Sequence, residues 1–327
     1  MVRTLRPTTV TDSAPSTVTV QRDLPFREAD GETLALDLYD DPATTGPKPV
    51  AVLVRGGAFC WGDKGEFARH AIDLAAEGFL VVEPQYRLAP ESTFPAALVD
   101  VKAAIEWVRA TGDEYGADPD RVVGVGHSAG ANLVALAALT ADEPGFEPEA
   151  YPGRSSALSA VVGYAGVYDF RSLDAATGEG ERFHRRYLGG GPDEEPAAYD
   201  LASPVAQAGP DAPPTLLLHG DADETVPPSQ SALLADALSP VADVTHETVS
   251  ADHGFPFHGA HYDDVLERTV AFLRGVGLAG EGTPDRPGGG IGGVGGGPSE
   301  SGGPSDLGVD RPPGARGPDD RRGDPGF

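Results

Sequence analysis

The chain has 327 residues, of which 39% are hydrophobic and 7% aromatic, enough for one large core or at most two ordinary domains. Its formal charge is -27, from 51 acidic against 24 basic residues, a balance that repels nucleic acid and anionic lipid and argues against both as partners. No apolar run approaches the roughly 18 residues of a membrane span, and the single cysteine, Cys60, excludes an intrachain disulfide.

The acid excess belongs to the body of the chain. From Glu281 to Phe327 there are 16 Gly and 8 Pro but only 8 acidic and 5 basic residues, a net of -3. Without a hydrophobic period this segment cannot offset its ordering entropy, so residues 279–327 are expected to form a disordered Gly/Pro-rich tail. Lys48, Lys64 and Lys102 are the three lysines, and Arg supplies the remaining positive charge. A folded surface this acidic fits a protein kept soluble in concentrated salt, where carboxylate self-repulsion is screened. Met1 to Val20 is rich in Ser and Thr, is broken by Pro7 and Pro15, and holds no apolar run of signal-peptide length. The expectation is a flexible segment over 1–17, a folded body over 18–278 and a cytoplasmic location.

Along the body, short apolar runs alternate with helical patterns. Strands are expected at Ser16–Leu24 and Thr33–Tyr39; with only a turn near Asp30-Gly31 between them, they read as an antiparallel hairpin at a sheet edge. Val50–Val54 follows, apolar without alternation, as in strands covered on both faces. A helix is predicted near Glu66–Glu77, a strand at Leu80–Glu83 and a helix over Pro95–Thr111. In that helix Ala97, Val101, Ala104, Ile105 and Val108 share one face, while Asp100, Lys102, Glu106 and Arg109 fall largely elsewhere. Then come a strand at Arg121–Val125, a helix at Ala129–Thr140 and strands at Ala160–Tyr164 and Thr215–Leu218. A helix at Pro228–Leu238, a strand at Val244–Val249 and a helix at His261–Val276 complete the pattern. This alternation specifies an α/β fold with a mostly parallel sheet of about eight strands flanked by helices. Residues 169–204 interrupt it and are the natural place for a short cap. Sheets of this kind bind ligands beyond the carboxyl ends of their strands.

Three loops at such ends carry chemistry. Gly126-His127-Ser128-Ala129-Gly130 joins a strand directly to a helix, the setting of a nucleophile elbow, in which a strained turn exposes the serine and small neighbours let strand and helix approach. The overlapping Gly124-Val125-Gly126-His127-Ser128-Ala129 also fits a dinucleotide pattern, but the next strand ends in Tyr164-Ala165-Gly166 without an acidic ribose partner. A serine needs a base, and the base an orienting acid. Asp221, Asp223 and Glu224 follow the strand Thr215–Leu218, and His253 follows Val244–Val249, giving the chain order Ser, Asp, His. Asp223 is the expected acid, with Asp221 and Glu224 as solvated or turn residues. His70 and His246, inside elements, suit packing or surface roles. His253, His258 and His261 lack a second cluster to complete a metal site, so no metal or other cofactor is expected. After Val50–Val54, Arg55-Gly56-Gly57-Ala58 offers backbone amides for an oxyanion hole.

These motifs, with Tyr86-Arg87-Leu88-Ala89-Pro90-Glu91, Phe94-Pro95-Ala96-Ala97-Leu98-Val99-Asp100 and Asp223-Glu224-Thr225-Val226-Pro227, resemble the α/β-hydrolase superfamily. The likeness is to its hormone-sensitive-lipase-like and feruloyl-esterase-like carboxylesterases and runs from about Pro47 to Arg274. It implies Ser128 as nucleophile, Asp223 as orienting acid and His253 as base, with the amides of Gly57, Ala58 and Ala129 as oxyanion donors. The implied substrate is a small carboxylic ester. Where that family usually opens its oxyanion loop with His-Gly-Gly, this chain has Arg55, suited either to bracing the loop or to meeting an acidic substrate group. The Ser-Ala-Gly-Ala elbow also resembles arylformamidases, which makes formamide hydrolysis the alternative. A non-catalytic binding protein on the same scaffold is the third reading, and such proteins usually lose a triad member.

Overall fold

The first two strands, Thr19–Ala29 (β1) and Glu32–Asp40 (β2), form the antiparallel hairpin expected at the sheet edge. Its turn residues Asp30 and Gly31 both have positive φ, 51° and 84°, the conformation that two-residue hairpin loops demand. The computed structural model describes residues 17–141, 143–176 and 183–278; the expected tail and nearly all of the expected flexible start lie outside them.

Six further strands follow: Lys48–Val54 (β3), Leu80–Pro84 (β4), Ala117–His127 (β5), Ala160–Tyr164 (β6), Thr215–Gly220 (β7) and Val244–Val249 (β8). They form one eight-stranded sheet in the order β1-β2-β4-β3-β5-β6-β7-β8. The hairpin joins β4 antiparallel, and β4 through β8 run parallel. Because β4 lies on one side of β3 and β5 on the other, the winding reverses between β3 and β5, and a crevice opens at their carboxyl ends.

Both sheet faces are covered, which is why β3 reads as an unbroken apolar run. Val50, Val52 and Val54 enter one core cluster, while Ala51 and Leu53 enter the other. Helices Ala96–Thr111 (α2), Ala129–Leu139 (α3) and Ser229–Leu238 (α7) pack on the first face; Ala68–Ala76 (α1) and Gly259–Gly275 (α8) pack on the second. Among the described residues no helix is long and apolar enough to cross a membrane. The segment 169–204, expected as a cap, carries three short helices, Phe170–Ala176 (α4), Phe183–Leu188 (α5) and Pro196–Leu201 (α6).

Helix α2 differs from its sequence pattern, because Asp100, Lys102 and Glu106 are buried along with its apolar face. The hairpin and α3 cover the side that amphipathicity assigns to water, where Asp100 and Lys102 find hydrogen-bond partners while Glu106 Oε2 is buried without one among the described residues. Asp100 accepts from Arg27 Nη1 at 2.6 Å and from Arg87 Nε at 2.9 Å, and Lys102 Nζ donates to the Thr140 carbonyl at 2.6 Å.

His70 on α1 is 1% exposed and packs against the rings of Phe67, Tyr164, Phe257 and Tyr262. Burial, reinforced by the charge of Arg69, pulls its pKa down to about 4. The unfolded imidazole binds a proton below about pH 6.5, whereas the folded one resists it until about pH 4, so stability falls as pH drops through that window. The expected loss from this residue is up to about 3 kcal/mol. His70→Phe is expected to flatten the fall, measured by urea unfolding at about pH 7 and about pH 4.5. An unchanged difference between the two pH values would remove His70 as its source.

Candidate active site

Ser128 lies between β5 and α3 with φ 55° and ψ -117°, a conformation that non-glycine residues rarely adopt and that persists only where the surroundings enforce it. Its amide donates to the Tyr164 carbonyl at 2.9 Å, which ties the turn to β6. The neighbouring glycines are needed for packing. A Cβ at Gly130 would come 1.9 Å from the Val54 carbonyl oxygen, and one at Gly126 would come 2.3 Å from the carbonyl oxygen of Gly130. Only hydrogens there let α3 sit against the end of β3, which brings the elbow beside the loop that carries Gly57 and Ala58. Ala129 opens α3, so its amide has no carbonyl one turn back to donate to.

The loop after β3 is also strained. Ala58 and Phe59 both have positive φ, 46° and 64°, and Phe59 is held by a stacked contact with Tyr187 at 3.8 Å between centroids. Among the described residues, the amides of Gly57 and Ala58 enter no hydrogen bond.

Asp223 follows β7 and His253 follows β8. His253 Nδ1 donates to Asp223 Oδ2 at 2.6 Å, while Asp223 Oδ1 accepts from the amides of Thr225 at 2.8 Å and Val226 at 2.9 Å. Asp221 and Glu224 are exposed, so of the three neighbouring acids only Asp223 turns inward. Burial would raise its pKa, but hydrogen bonds from His219, His253 and the Val226 amide outweigh it and hold the carboxyl well below the usual range. The ionised carboxylate only accepts, so His253 Nδ1 carries the proton and Nε2 is left as the free acceptor.

Two buried histidines support this pair, and their roles are not evident in the sequence. His219 Nε2 donates to the Val226 carbonyl at 3.0 Å and lies 3.3 Å from Asp223 Oδ2, with Ser231 Oγ 2.7 Å from its Nδ1. His127, the residue before Ser128, donates from Nε2 to the backbone carbonyl of His253 at 3.0 Å and so couples the elbow to the β8 loop. Burial, then the nearby His253, pull the His127 pKa down to about 3, which keeps it neutral. His219 was visible only as the residue preceding Gly220, with no motif to mark it.

Ser128, Ala129 and Ala58 line a cavity of about 130 Å³ together with Phe59, Phe170 and Val226. Leu173 of α4 and Phe183 of α5 complete its apolar wall. His253 lines a more polar hollow of about 320 Å³ with Glu224, Asp252 and His258; Thr225 borders both spaces. His258 is exposed there, His246 lies within β8, and His70 lies within α1, buried behind Phe257 of the β8 loop. The residues singled out in the sequence are thus gathered at one end of the sheet, around the crevice between β3 and β5. The arrangement suits a nucleophile, a base with its orienting acid, and unengaged amides beside a small apolar space.

Comparison with known proteins shows which families the chain resembles. The BD-FAE family model matches residues 36–238. Esterase LipC of Mycobacterium tuberculosis is 36% identical over 241 residues, covering 71% of this chain and 59% of LipC. Esterase LipQ of the same organism is 33% identical over 266 residues, covering 78% of this chain and 62% of LipQ. The chain therefore spans about three fifths of the length of the curated relatives it matches. Among solved structures, butyrate-bound Est2, a thermophilic esterase of Thermogutta terrifontis, aligns with a TM-score of 0.67 at 25% identity, over 83% of this chain and 97% of that one. A truncated carbohydrate esterase from gut microbiota aligns with a TM-score of 0.70 at 24% identity, over 81% of this chain and 99% of that one, and bears on the fold alone.

Proposed function

This chain belongs to the BD-FAE family and has the α/β-hydrolase fold, and on that premise we propose that it is a serine hydrolase of small carboxylic esters. Ser128 is the nucleophile, His253 the base, Asp223 its orienting acid, and the amides of Gly57, Ala58 and Ala129 receive the oxyanion. The observation that carries the reading is Ser128, held at φ 55° in a small apolar cavity bordered by the loop of an Asp223–His253 pair 2.6 Å apart.

The reaction runs in two steps. His253 Nε2 takes the Ser128 hydroxyl proton as Oγ bonds to the ester carbonyl carbon, and the carbonyl oxygen becomes an anion facing the three amides. Collapse breaks the bond to the alcohol, which leaves with the proton from His253. Water then repeats the sequence on the acyl-enzyme, giving up its proton to His253, and the acid departs as Ser128 recovers its own. The acyl group occupies the apolar cavity, and the alcohol leaves past His253 through the polar hollow. Segment 169–204 acts as the cap, contributing Phe170, Leu173 and Phe183 to the acyl wall. The cavity of about 130 Å³ favours short acyl groups, and the Thermogutta esterase has been solved with both butyrate and propionate.

A series of chromogenic esters with acyl chains of two to twelve carbons tests this directly. The expected kcat/KM is highest for two to four carbons and at least about tenfold lower by eight, because the extra methylenes have no room. Turnover is expected to rise from low to multimolar salt, as screening relieves the acidic surface. Rates that climb with chain length would overturn the small-acyl assignment. Folded protein inert on every ester but active on formyl amides would move the reading to formamide hydrolysis.

A further inference from the structure

Nothing in this reaction uses Arg55, whose charged side chain is only 2% exposed. It precedes Gly56-Gly57, at the position where the family resemblance leads one to expect His. It does not line the cavity that holds Ser128; it lines a hollow of about 740 Å³ together with Gly62, Asp63 and Tyr86. Arg55 therefore does not line the acyl space, and its contacts are with its own loop and with Tyr86.

Arg55 Nη1 donates to the carbonyl of Gly56 at 2.8 Å and to that of Trp61 at 2.7 Å, and the Tyr86 hydroxyl oxygen lies 3.0 Å from the same nitrogen. Its guanidinium carbon sits 4.1 Å from the centre of the Tyr86 ring. The Tyr86 hydroxyl donates to the same Gly56 carbonyl at 2.8 Å. The Gly56 amide is taken by Glu66 Oε2 at 3.1 Å.

A trans peptide is planar, with the carbonyl and the following N–H on opposite sides. Two donors that hold the Gly56 carbonyl therefore fix the Gly57 N–H in the opposite direction. The next peptide obeys the same rule. The Gly57 carbonyl accepts from the amides of Cys60 at 2.9 Å and Trp61 at 3.1 Å, which fixes the Ala58 N–H opposite to it. Arg55 closes this turn as well, because it holds the Trp61 carbonyl. Gly57 and Gly62 have φ of 104° and 100°, and a Cβ on them would come 3.2 Å and 2.9 Å from Arg55 Nη1. The loop is thus built around the guanidinium.

We infer that Arg55, together with Tyr86, is a positioning residue that sets the direction of the Gly57 and Ala58 amides toward the oxyanion of the transition state. The inference rests on the proposed role of Ser128 and of those amides. Arg55 suits the task because one nitrogen serves two carbonyls. A misaimed amide weakens binding of the oxyanion far more than binding of the neutral ester.

The test compares Arg55→Met, Arg55→Lys, Arg55→His and Tyr86→Phe in the full chain, on a short-acyl ester and on a trifluoromethyl ketone whose adduct carries an oxyanion. For Arg55→Met, kcat is expected to fall about hundredfold with KM within about twofold, and ketone affinity to fall in parallel. Tyr86→Phe is expected to lower both by about tenfold, and Arg55→Lys or Arg55→His to recover part of the Arg55→Met loss. Losses confined to KM, or wild-type kcat and ketone affinity in Arg55→Met, would overturn the inference. If Arg55→Met does not fold, Tyr86→Phe decides, since it removes one hydroxyl and nothing else. Wild-type protein inactive on the ester, or full activity in Ser128→Ala, would instead fail the functional reading beneath it.

Discussion

Replacing Ser128 with Ala is expected to lower kcat on a short-acyl ester by about a millionfold while leaving the protein folded. On the proposed mechanism the effect is large because the hydroxyl supplies the atom that bonds to the substrate, and no neighbouring group stands in for it. What remains is oxyanion stabilisation and substrate binding, which together still exceed the uncatalysed rate by about 10³ to 10⁴. The fold should survive because the turn is held through the backbone. The Ser128 amide donates to Tyr164, and its carbonyl accepts from the amides of Ala131 at 3.1 Å and Asn132 at 3.3 Å. Alanine keeps every one of these bonds and adds no new backbone strain to a residue already at φ 55°. The expected stability change is within about 1 kcal/mol. Intact mass after treatment with a fluorophosphonate gives a second readout, one adduct on the wild type and none on Ser128→Ala. Appreciable hydrolysis by the variant would mean that another group attacks the ester.

The parts legible in the sequence were those written locally. The elbow announces itself because glycine is required on both sides of Ser128 by contacts as short as 1.9 Å, and no other residue satisfies them. The unbroken run Val50–Val54 shows a strand covered on both faces, because both faces of β3 are buried. Asp223 stands out from Asp221 and Glu224 only through its place after a strand and its match to the family motif; the structure adds the reason, two amides that hold its carboxylate inward.

What the sequence did not disclose depends on partners distant along the chain. Asp100 and Arg27 are 73 residues apart, and a helical pattern cannot tell that a hairpin will cover the polar side of α2. Tyr86 reaches the Gly56 carbonyl 30 residues away because β3 and β4 are neighbours in the sheet, so its motif was recognisable while its task was not. Helices α4, α5 and α6 have seven, six and six residues, less than two turns each, too short for a 3.6-residue period to show. Roles carried by backbone carbonyls, such as the grip of His127 on His253, leave no trace in the identity of the residue that is held.

Asp223→Asn carries the second large effect, an expected loss in kcat of about 10⁴-fold from a change of one atom. The two carboxylate oxygens have different partners. Oδ1 accepts from the Thr225 and Val226 amides, and Oδ2 accepts from His253 Nδ1 and faces His219 Nε2 at 3.3 Å. An asparagine must keep its carbonyl toward the two amides, since both are donors, so its NH₂ replaces Oδ2. That group can only donate. His253 Nδ1 must then become the acceptor, which moves the ring proton to Nε2, the nitrogen that has to receive the Ser128 proton. The base is left in place but in the wrong tautomer. KM is expected to change little, because no atom of the acyl cavity moves, and the loss should lie almost wholly in kcat. The NH₂ also opposes the Nε2–H of His219, so a destabilisation of about 1 to 3 kcal/mol should accompany the kinetic effect. Asp221→Asn and Glu224→Gln are the controls: both side chains are exposed, and each variant should keep wild-type kcat. If Asp223→Asn retained activity while either control lost it, the orienting acid would be the exposed neighbour, and the 2.6 Å contact between Asp223 and His253 would have to be assigned a structural role only.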